Sequence, residues 1–299
     1  MLAQNAPLFT GCATALVTPF LPNNTIDEAS LRQLIDLQIQ STIDALVILG
    51  TTGEPCTLSM AQREQVISIA MDAVQNRIPV IVGTGANATS TAIEYARQAK
   101  RLGAQGQLCV TPYYNKTTQT GLLRHYAAVL ERSDLPMVLY NVPSRTGMSI
   151  SSDTAAALSR YHHIAGIKEA SGNIGYAMEI IEKTNGSLPV YCGNDDLILP
   201  MIAIGAKGAI SVCSNIIPEV TKKLTDACLS GNFAEARCAQ TAIMPLIRSL
   251  FSQVNPIPVK AALSMMGLIH EELHLPLMPM EEPYRSRLRA ILHQMRLIQ

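Results

Sequence analysis

The chain has 299 residues, of which 48% are hydrophobic, and its 23 basic and 23 acidic residues give a formal net charge of zero. A balanced charge offers no basic surface for nucleic acid or for an anionic membrane, so we expect neither as a partner. No apolar run approaches the roughly 18 residues that span a bilayer, and residues 1–10 lack the basic start and apolar core of a signal peptide. We therefore expect a soluble, cytoplasmic protein that acts on small molecules or binds other subunits.

Short runs rich in Val, Ile and Leu recur along the chain, and each is followed by a polar turn and a segment with apolar residues three and four apart. This pattern predicts alternating strands and helices. Eight strands are predicted, at residues 11–19, 45–49, 79–83, 107–111, 136–141, 164–168, 189–193 and 208–213. Helices are predicted between them, for example at 27–40, 59–74, 89–102 and 121–131, with candidate N-caps Asp27, Ser59, Thr89 and Ser151 or Ser152.

Several of these strands are apolar throughout, as parallel strands covered on both faces are. Eight strand and helix units in series predict an α/β fold, a closed (β/α)8 or TIM barrel, over residues 1–230. Residues 231–299 carry helical patterns at 232–251, 258–267 and 283–298 and no strand signal. They are interpreted as a C-terminal helical extension of the same domain.

The open doubly wound sheet, which binds dinucleotides, is the alternative fold. Its support is a loose glycine pattern at 83–88, directly after a predicted strand. The next strand ends at 109–113 without an Asp or Glu that could bind a ribose hydroxyl. The barrel is therefore favoured.

The seven cysteines are widely spaced and include no Cys-x-x-Cys pair. An odd number with this spacing favours reduced thiols over disulfides or a zinc site. Four of them, Cys12, Cys109, Cys192 and Cys213, lie in predicted strands, where a free cysteine packs as a small hydrophobic side chain. We expect these four in the core.

Lys168 lies at the end of the sixth predicted strand, and Gly166 and Ala170 share its face, which leaves room around the amine. In a barrel the C-terminal ends of the strands converge at one mouth, where barrel enzymes place their chemistry. The other strand ends therefore belong to the same region as Lys168. They carry hydroxyls, phenols and a guanidinium, at residues 50–54, 113–115, 140–147 and 193–195.

A lysine that attacks a carbonyl must lose its proton, which burial and nearby positive charge such as Arg145 favour. Tyr140, relayed through the hydroxyl of Thr51, could give and take protons. The turn at 50–53 presents backbone N–H groups suited to a carboxylate. Each of these residues alone has an ordinary structural explanation, but together they point to a keto acid bound to Lys168.

On these residues the chain resembles the pyruvate-dependent class I aldolase family, over residues 11–279. The motifs that carry the resemblance are GTTGE at 50–54, TPYYN at 111–115, YNVPSRTG at 140–147 and GIKEA at 166–170. The resemblance implies that Lys168 forms a Schiff base with pyruvate and that no separate cofactor or metal is needed. It implies a proton relay of Thr51, Tyr140 and Tyr114, with Tyr114 reaching into a neighbouring subunit. The resemblance therefore also implies a tight homodimer, usually doubled to a tetramer.

The resemblance also assigns the substrate contacts. It implies that Thr52 and its turn hold the carboxylate of pyruvate, and that backbone groups at Gly193 and Ile210 line the pyruvate pocket. It implies that Arg145 holds the carboxylate of L-aspartate 4-semialdehyde, the second substrate of the branch that serves diaminopimelate and lysine biosynthesis.

N-acetylneuraminate lyases and 2-keto-3-deoxy sugar acid aldolases of the same family are the alternatives. Sialic acid lyases usually carry Ser-Thr at positions 51–52 and lack an arginine at 145, so both positions favour the biosynthetic branch.

Members of this family that are inhibited by lysine bind it at a subunit interface, through histidines, a glutamate, an asparagine and a tyrosine. Asn87 and Tyr113 match that pattern, but Met60, Arg63 and Thr91 occupy the histidine and glutamate positions. The resemblance therefore implies weak or absent inhibition by lysine.

Residues 270–274 form a literal His-Glu-x-x-His string, with His270, Glu271 and His274. On a helix this string would place two zinc ligands on one face with a glutamate base, as in a metalloprotease. Gly267 and Pro276 flank it and disfavour a helix, and no third ligand is evident.

A barrel that binds keto acids without catalysis is a further alternative. It is disfavoured because binding alone needs no amine nucleophile.

Overall fold

The computed structural model describes residues 7–299. The interpretation that residues 1–10 lack a signal peptide falls partly on residues 1–6, which lie outside the described residues. Within that range eight parallel strands close into a barrel, in which each strand pairs with the next and the eighth with the first. The predicted (β/α)8 barrel is confirmed. The strands are β1 Gly11–Ala15, β2 Ala45–Ile48, β3 Val80–Gly83, β4 Gly106–Val110, β5 Met137–Asn141, β6 Ile164–Glu169, β7 Val190–Cys192 and β8 Gly208–Ser211.

Helices connect the strands and surround the barrel. They are α1 Glu28–Gln40, α2 Met60–Val74, α3 Thr89–Arg101, α4 Gln119–Ser133, α5 Pro143–Thr146, α6 Ser152–Leu158, α7 Ile174–Lys183, α8 Ile198–Ala203 and α9 Pro218–Leu229. Three more helices follow the barrel, as predicted, and are α10 Phe233–Leu250, α11 Ile257–Met265 and α12 Tyr284–Gln294. None of the helices within residues 7–299 combines the length and apolar character needed to cross a bilayer.

Most of the predicted N-caps are found in the structure. Asp27 accepts a hydrogen bond from Ser30 N, Ser59 forms a capping box with Gln62, and Ser151 caps α6. The cap predicted at Thr89 is wrong, because Thr89 is already the first residue of α3. Its hydroxyl instead lies 3.0 Å from His125 Nδ1 on α4, so it links two neighbouring helices.

The first strand is shorter than predicted and ends at Ala15 instead of residue 19. Leu16 N still donates to Val47 O at 2.9 Å, but Val17 N donates to the side chain of Asn215 at 3.2 Å. Pro19 has no N–H to donate. Leu16 and Val17 are buried, so their apolar character reflects core packing above the sheet and not strand pairing.

The core has two layers, divided by the wall of the barrel. Along β5, Val138 and Tyr140 belong to the cluster inside the barrel, and Leu139 belongs to the cluster between barrel and helices.

The barrel closes where β1 meets β8, at a point with no room for a side chain. A Cβ on Gly208 would lie 1.9 Å from Gly11 O, so glycine is required there.

The cysteines behave as the sequence indicated. Cys12, Cys109, Cys192 and Cys213 are all buried in the core, and all seven cysteines are free thiols. Burial raises the pKa of the Cys109 thiol to about 12, which keeps it protonated and unreactive.

Candidate active site

A cavity of about 320 Å³ opens at the mouth formed by the C-terminal ends of the strands. The sequence-predicted residues Thr51, Tyr140 and Arg145 line it, together with Asn255 and Leu277 from the C-terminal region. The strand ends and the helical extension therefore build its wall together.

Lys168 adjoins this cavity from inside the barrel. The register places it between Tyr140 on β5 and Tyr191 on β7, and only 6% of its surface is exposed. Its Nζ lies 4.6 Å from the centre of the Tyr140 ring, and Tyr140 in turn lines the cavity. Within residues 7–299 no carboxylate forms a salt bridge with Lys168.

The two residues assigned to the pyruvate pocket lie just after β7 and on β8, the two strands that follow β6 in the barrel. Ile210 on β8 is 1% exposed and belongs to the interior cluster. Gly193 follows β7 and passes so close to β6 that a Cβ would lie 3.0 Å from Lys168 Cε. Ile210 thus lies in the cluster inside the barrel, and Gly193 lies directly beside the lysine side chain.

The turn after β2, which the sequence predicts as a carboxylate site, is a short helical turn. Residues Thr51–Gly53 form a single 3-10 turn, closed by Gly53 N donating to Gly50 O at 2.8 Å. The N–H groups of Thr51 and Thr52 at its start donate to no acceptor in the described part of the chain. Thr52 Oγ1 accepts a hydrogen bond from Asn255 Nδ2 at 2.9 Å, so its hydroxyl proton is free to donate.

Within one chain Arg145 is held at the cavity by a hydrogen bond, whereas Tyr114 is exposed and lies outside the cavity lining. Arg145, on α5, donates from Nη2 to Asn255 O at 3.0 Å and lines the cavity. Tyr114 is 91% exposed with a φ of 70°, and it does not line the cavity. No hydrogen bond joins Thr51, Tyr140 and Tyr114 within residues 7–299, so one chain alone does not assemble the predicted relay.

The sequence reasoning missed a buried ion pair behind the turn. Glu54 Oε1 accepts from Lys260 Nζ at 2.6 Å, and Glu54 Oε2 accepts from the backbone N of His274 at 3.0 Å. The two charged side chains are at most 1% exposed, and burial lowers the pKa of Lys260. Glu54 stood in a quoted motif without a role, and nothing in the sequence pattern singled out Lys260 or Asn255.

The zinc-site alternative is not supported. Residues 270–274 are not helical, so His270 and His274 do not share a helix face. The His274 ring stacks on Phe20 at 3.9 Å, and Glu271 forms a salt bridge with Arg285. Among the described residues no group of three or more His, Cys, Asp or Glu side chains could hold a metal ion.

A (β/α)8 barrel with a buried lysine near the end of its sixth strand, a tyrosine beside it and a cavity that a threonine and an arginine help to line has the architecture of a class I aldolase. The chain belongs to the Dihydrodipicolinate synthetase family, whose family model matches residues 8–295. A curated relative from Alkaliphilus oremlandii, named 4-hydroxy-tetrahydrodipicolinate synthase, is 48% identical over 281 residues, which cover 94% of this chain and 97% of the relative.

Two solved structures of dihydrodipicolinate synthases have the same fold as this chain. The dihydrodipicolinate synthase from Aquifex aeolicus superposes with a TM-score of 0.95 at 41% identity, covering 97% of this chain and 99% of that one. A structure described as the first monomeric dihydrodipicolinate synthase variant also superposes with a TM-score of 0.95 at 41% identity, covering 97% and 98%. The chain is thus similar to these enzymes over nearly its whole length.

Proposed function

We propose that this chain is a lyase that condenses pyruvate with L-aspartate 4-semialdehyde, as a 4-hydroxy-tetrahydrodipicolinate synthase does. The observation that carries the proposal is the buried amine of Lys168, 4.6 Å from the Tyr140 ring and beside a cavity lined by Thr51 and Arg145. The names of the curated relatives support the choice of substrates. We propose further that residues 1–230 and 231–299 act as one catalytic domain in the cytoplasm.

The reaction begins when the Lys168 amine attacks the keto carbon of pyruvate and water leaves, which gives an imine. Loss of a methyl proton converts the imine into an enamine, and the enamine carbon attacks the aldehyde carbon of the second substrate. The amino group of that substrate then attacks the imine carbon, the bond to Nζ breaks, and the product leaves as a ring. No separate cofactor takes part, because the imine that Lys168 forms with pyruvate is itself the electron sink.

The side chains around the cavity have roles that fit these steps. Thr52, with its free hydroxyl proton and the open N–H groups of its turn, holds the carboxylate of pyruvate. Arg145 holds the carboxylate of the semialdehyde, a task suited to a guanidinium. Tyr140 and Thr51 transfer protons to and from the imine. Backbone groups at Gly193 and Ile210 complete the pyruvate pocket.

The relay needs Tyr114 from a second chain, and we therefore propose a tight homodimer, doubled to a tetramer. The support is the 91% exposure of the Tyr114 residue and the lack of a hydrogen bond from it to Thr51 or Tyr140 within residues 7–299. A large aromatic ring this exposed is typical of an interface residue.

Lysine is expected to inhibit weakly or not at all, because the residue at one of the effector positions is itself a buried cation. Arg63 is 1% exposed, lies 3.8 Å above the Tyr95 ring and donates to Gly83 O at 2.6 Å. Burial lowers its pKa to about 10, so it stays charged at neutral pH and repels a second cation. Initial rates with added lysine test this, and half-inhibition at micromolar lysine would contradict it.

The central experiment is borohydride reduction in the presence of pyruvate, followed by mass spectrometry. We expect one reduced pyruvate adduct on Lys168 and none in the Lys168→Ala variant. Absence of any adduct on the native chain would overturn the proposal. Parallel assays with L-aspartate 4-semialdehyde and with N-acetylneuraminate then separate the synthase from the lyase, and we expect activity with the semialdehyde alone.

A further inference from the structure

Asn255 lines the cavity and has a side-chain oxygen without a hydrogen-bond partner in the described part of the chain. It lies just before α11, is 7% exposed and lines the cavity. Its backbone oxygen accepts from Arg145 Nη2 at 3.0 Å, and its side-chain Nδ2 donates to Thr52 Oγ1 at 2.9 Å. Its side-chain Oδ1 is buried and has no partner in the described part of the chain. A buried amide oxygen without a partner is unfavourable, so this atom calls for a donor on a bound molecule.

The neighbours of Asn255 define where that donor would come from. One contact is with Arg145, which the proposed function assigns to the carboxylate of the second substrate, and the other is with Thr52, assigned to the carboxylate of pyruvate. Pyruvate has no hydrogen-bond donor. In an α-amino acid the ammonium and carboxylate groups are attached to the same carbon, so a donor necessarily lies beside a carboxylate held by Arg145.

We propose that Asn255 Oδ1 accepts a hydrogen bond from the α-ammonium group of L-aspartate 4-semialdehyde, so that Asn255 and Arg145 together recognise the second substrate as an amino acid. This inference rests on the proposed function and assigns a contact within it. The same nitrogen later attacks the imine carbon, after it has lost one ammonium proton to water and so gained a free lone pair. One of its protons passes to Nζ as the bond between Nζ and carbon breaks, so holding this nitrogen also prepares the release of Lys168.

The test uses succinic semialdehyde, which differs from the substrate only in lacking the amino group. We would measure the KM for L-aspartate 4-semialdehyde and the Ki of succinic semialdehyde as its competitor. Both molecules carry the carboxylate, so a disturbance of Arg145 or Thr52 changes both constants together. The ratio of the two constants therefore reports on the amino group alone.

In Asn255→Ala we expect the KM for the semialdehyde to rise about tenfold more than the Ki of succinic semialdehyde, the size of effect that loss of a hydrogen bond to a charged group produces. Asn255→Asp keeps an oxygen at this place and should hold the ratio within about twofold of the native value. If the ratio stays native in Asn255→Ala, or is lost equally in Asn255→Asp, the inference is wrong.

Two controls keep the result interpretable. Thr57→Val alters another polar residue that lines the cavity and should leave the ratio unchanged. Borohydride trapping of pyruvate is run on every variant as a check of folding, and Asn255→Ser replaces Asn255→Ala if the latter forms no adduct. Lack of an adduct or of semialdehyde turnover in the native chain would overturn the proposed function, whereas normal trapping with an unchanged ratio would overturn only the role of Asn255.

Discussion

The position of the Lys168 amine depends on the glycine that faces it. A Cβ on Gly193 would lie 2.6 Å from the Cβ of Ala170 and 3.0 Å from Lys168 Cε. Protein interiors have no slack for such an approach, so any side chain at 193 has to displace Ala170 or the lysine. Glycine is therefore needed here for space close to the reacting amine.

We expect Gly193→Ala to slow formation of the pyruvate adduct by about tenfold or more, because a small displacement of a nucleophile has large effects on rate. The rate of borohydride-trapped adduct and kcat would be measured together. Gly175→Ala, at an exposed position of α7, is the matched control and should behave as the native chain. An unchanged trapping rate in Gly193→Ala would contradict this account.

Single residues differ in how readily the sequence reveals them. Lys168, Thr51, Tyr140 and Arg145 could be predicted because each follows or ends a recognisable strand, and strand ends in a barrel share one mouth. Asn255 could not, since its contact with Thr52 spans 203 positions of the chain. It has no strand to place it, and only the fold brings it to the cavity.

At the scale of elements, the C-terminal helices support the active-site turn. Lys260 on α11 pairs with Glu54 directly behind Thr51–Gly53, and its Nζ also lies 4.1 Å from the Phe20 ring. The backbone at His274 takes the other oxygen of Glu54. The helical extension thereby anchors the turn through Glu54, and Asn255 contacts the same turn at Thr52.

Removing one partner of this pair leaves the other buried and uncompensated. We expect Lys260→Met to lower the free energy of unfolding by about 3–5 kcal/mol, measured by urea denaturation. Adding Glu54→Gln to that variant should recover a substantial part of the loss, because no charge then remains buried. Arg101→Met, which breaks an exposed pair with Glu64, serves as control and should change little. A double variant no more stable than Lys260→Met would contradict this interpretation.

The predictions of local structure were wrong where a sequence pattern is compatible with more than one conformation. Leu16 and Val17 are apolar as strand residues would be, yet they are buried beyond the end of β1, and Val17 N donates to the side chain of Asn215 instead of to a strand. The His-Glu-x-x-His string matches a helical zinc motif, yet residues 270–274 are not helical, and His274 stacks on Phe20 and donates its backbone N–H to Glu54. In both cases tertiary contacts, which the local sequence does not contain, determined the conformation.

At the scale of the whole molecule, the chain holds an amine and a cavity but not a complete relay. Tyr114 is 91% exposed and does not belong to the cavity lining. If it serves a neighbouring subunit, then Lys168 and Tyr114 of one active site come from different chains. This arrangement can be tested without a structure of the assembly.

Lys168→Ala and Tyr114→Phe chains should each be nearly inactive alone, and mixed dimers should regain activity. A mixed dimer contains one site with a native Lys168 and a native Tyr114. With equal amounts and random pairing of chains in a two-fold dimer, activity of about a quarter of the native value is expected. The chains would be co-expressed or refolded together, with each chain refolded alone as the control. A mixture no more active than its components would show that Tyr114 does not act across the interface.

The sequence by itself determined the barrel and the residues at its mouth. Strand and helix periodicity is a local property, and eight repeats of it leave few other ways to bury both faces of a parallel sheet. Only the tertiary structure decided how those residues are held, through Asn255 between Thr52 and Arg145, through Glu54 with Lys260, and through the close approach of Gly193 to Lys168. These contacts join segments far apart in the chain, and their energies depend on burial that no local pattern encodes.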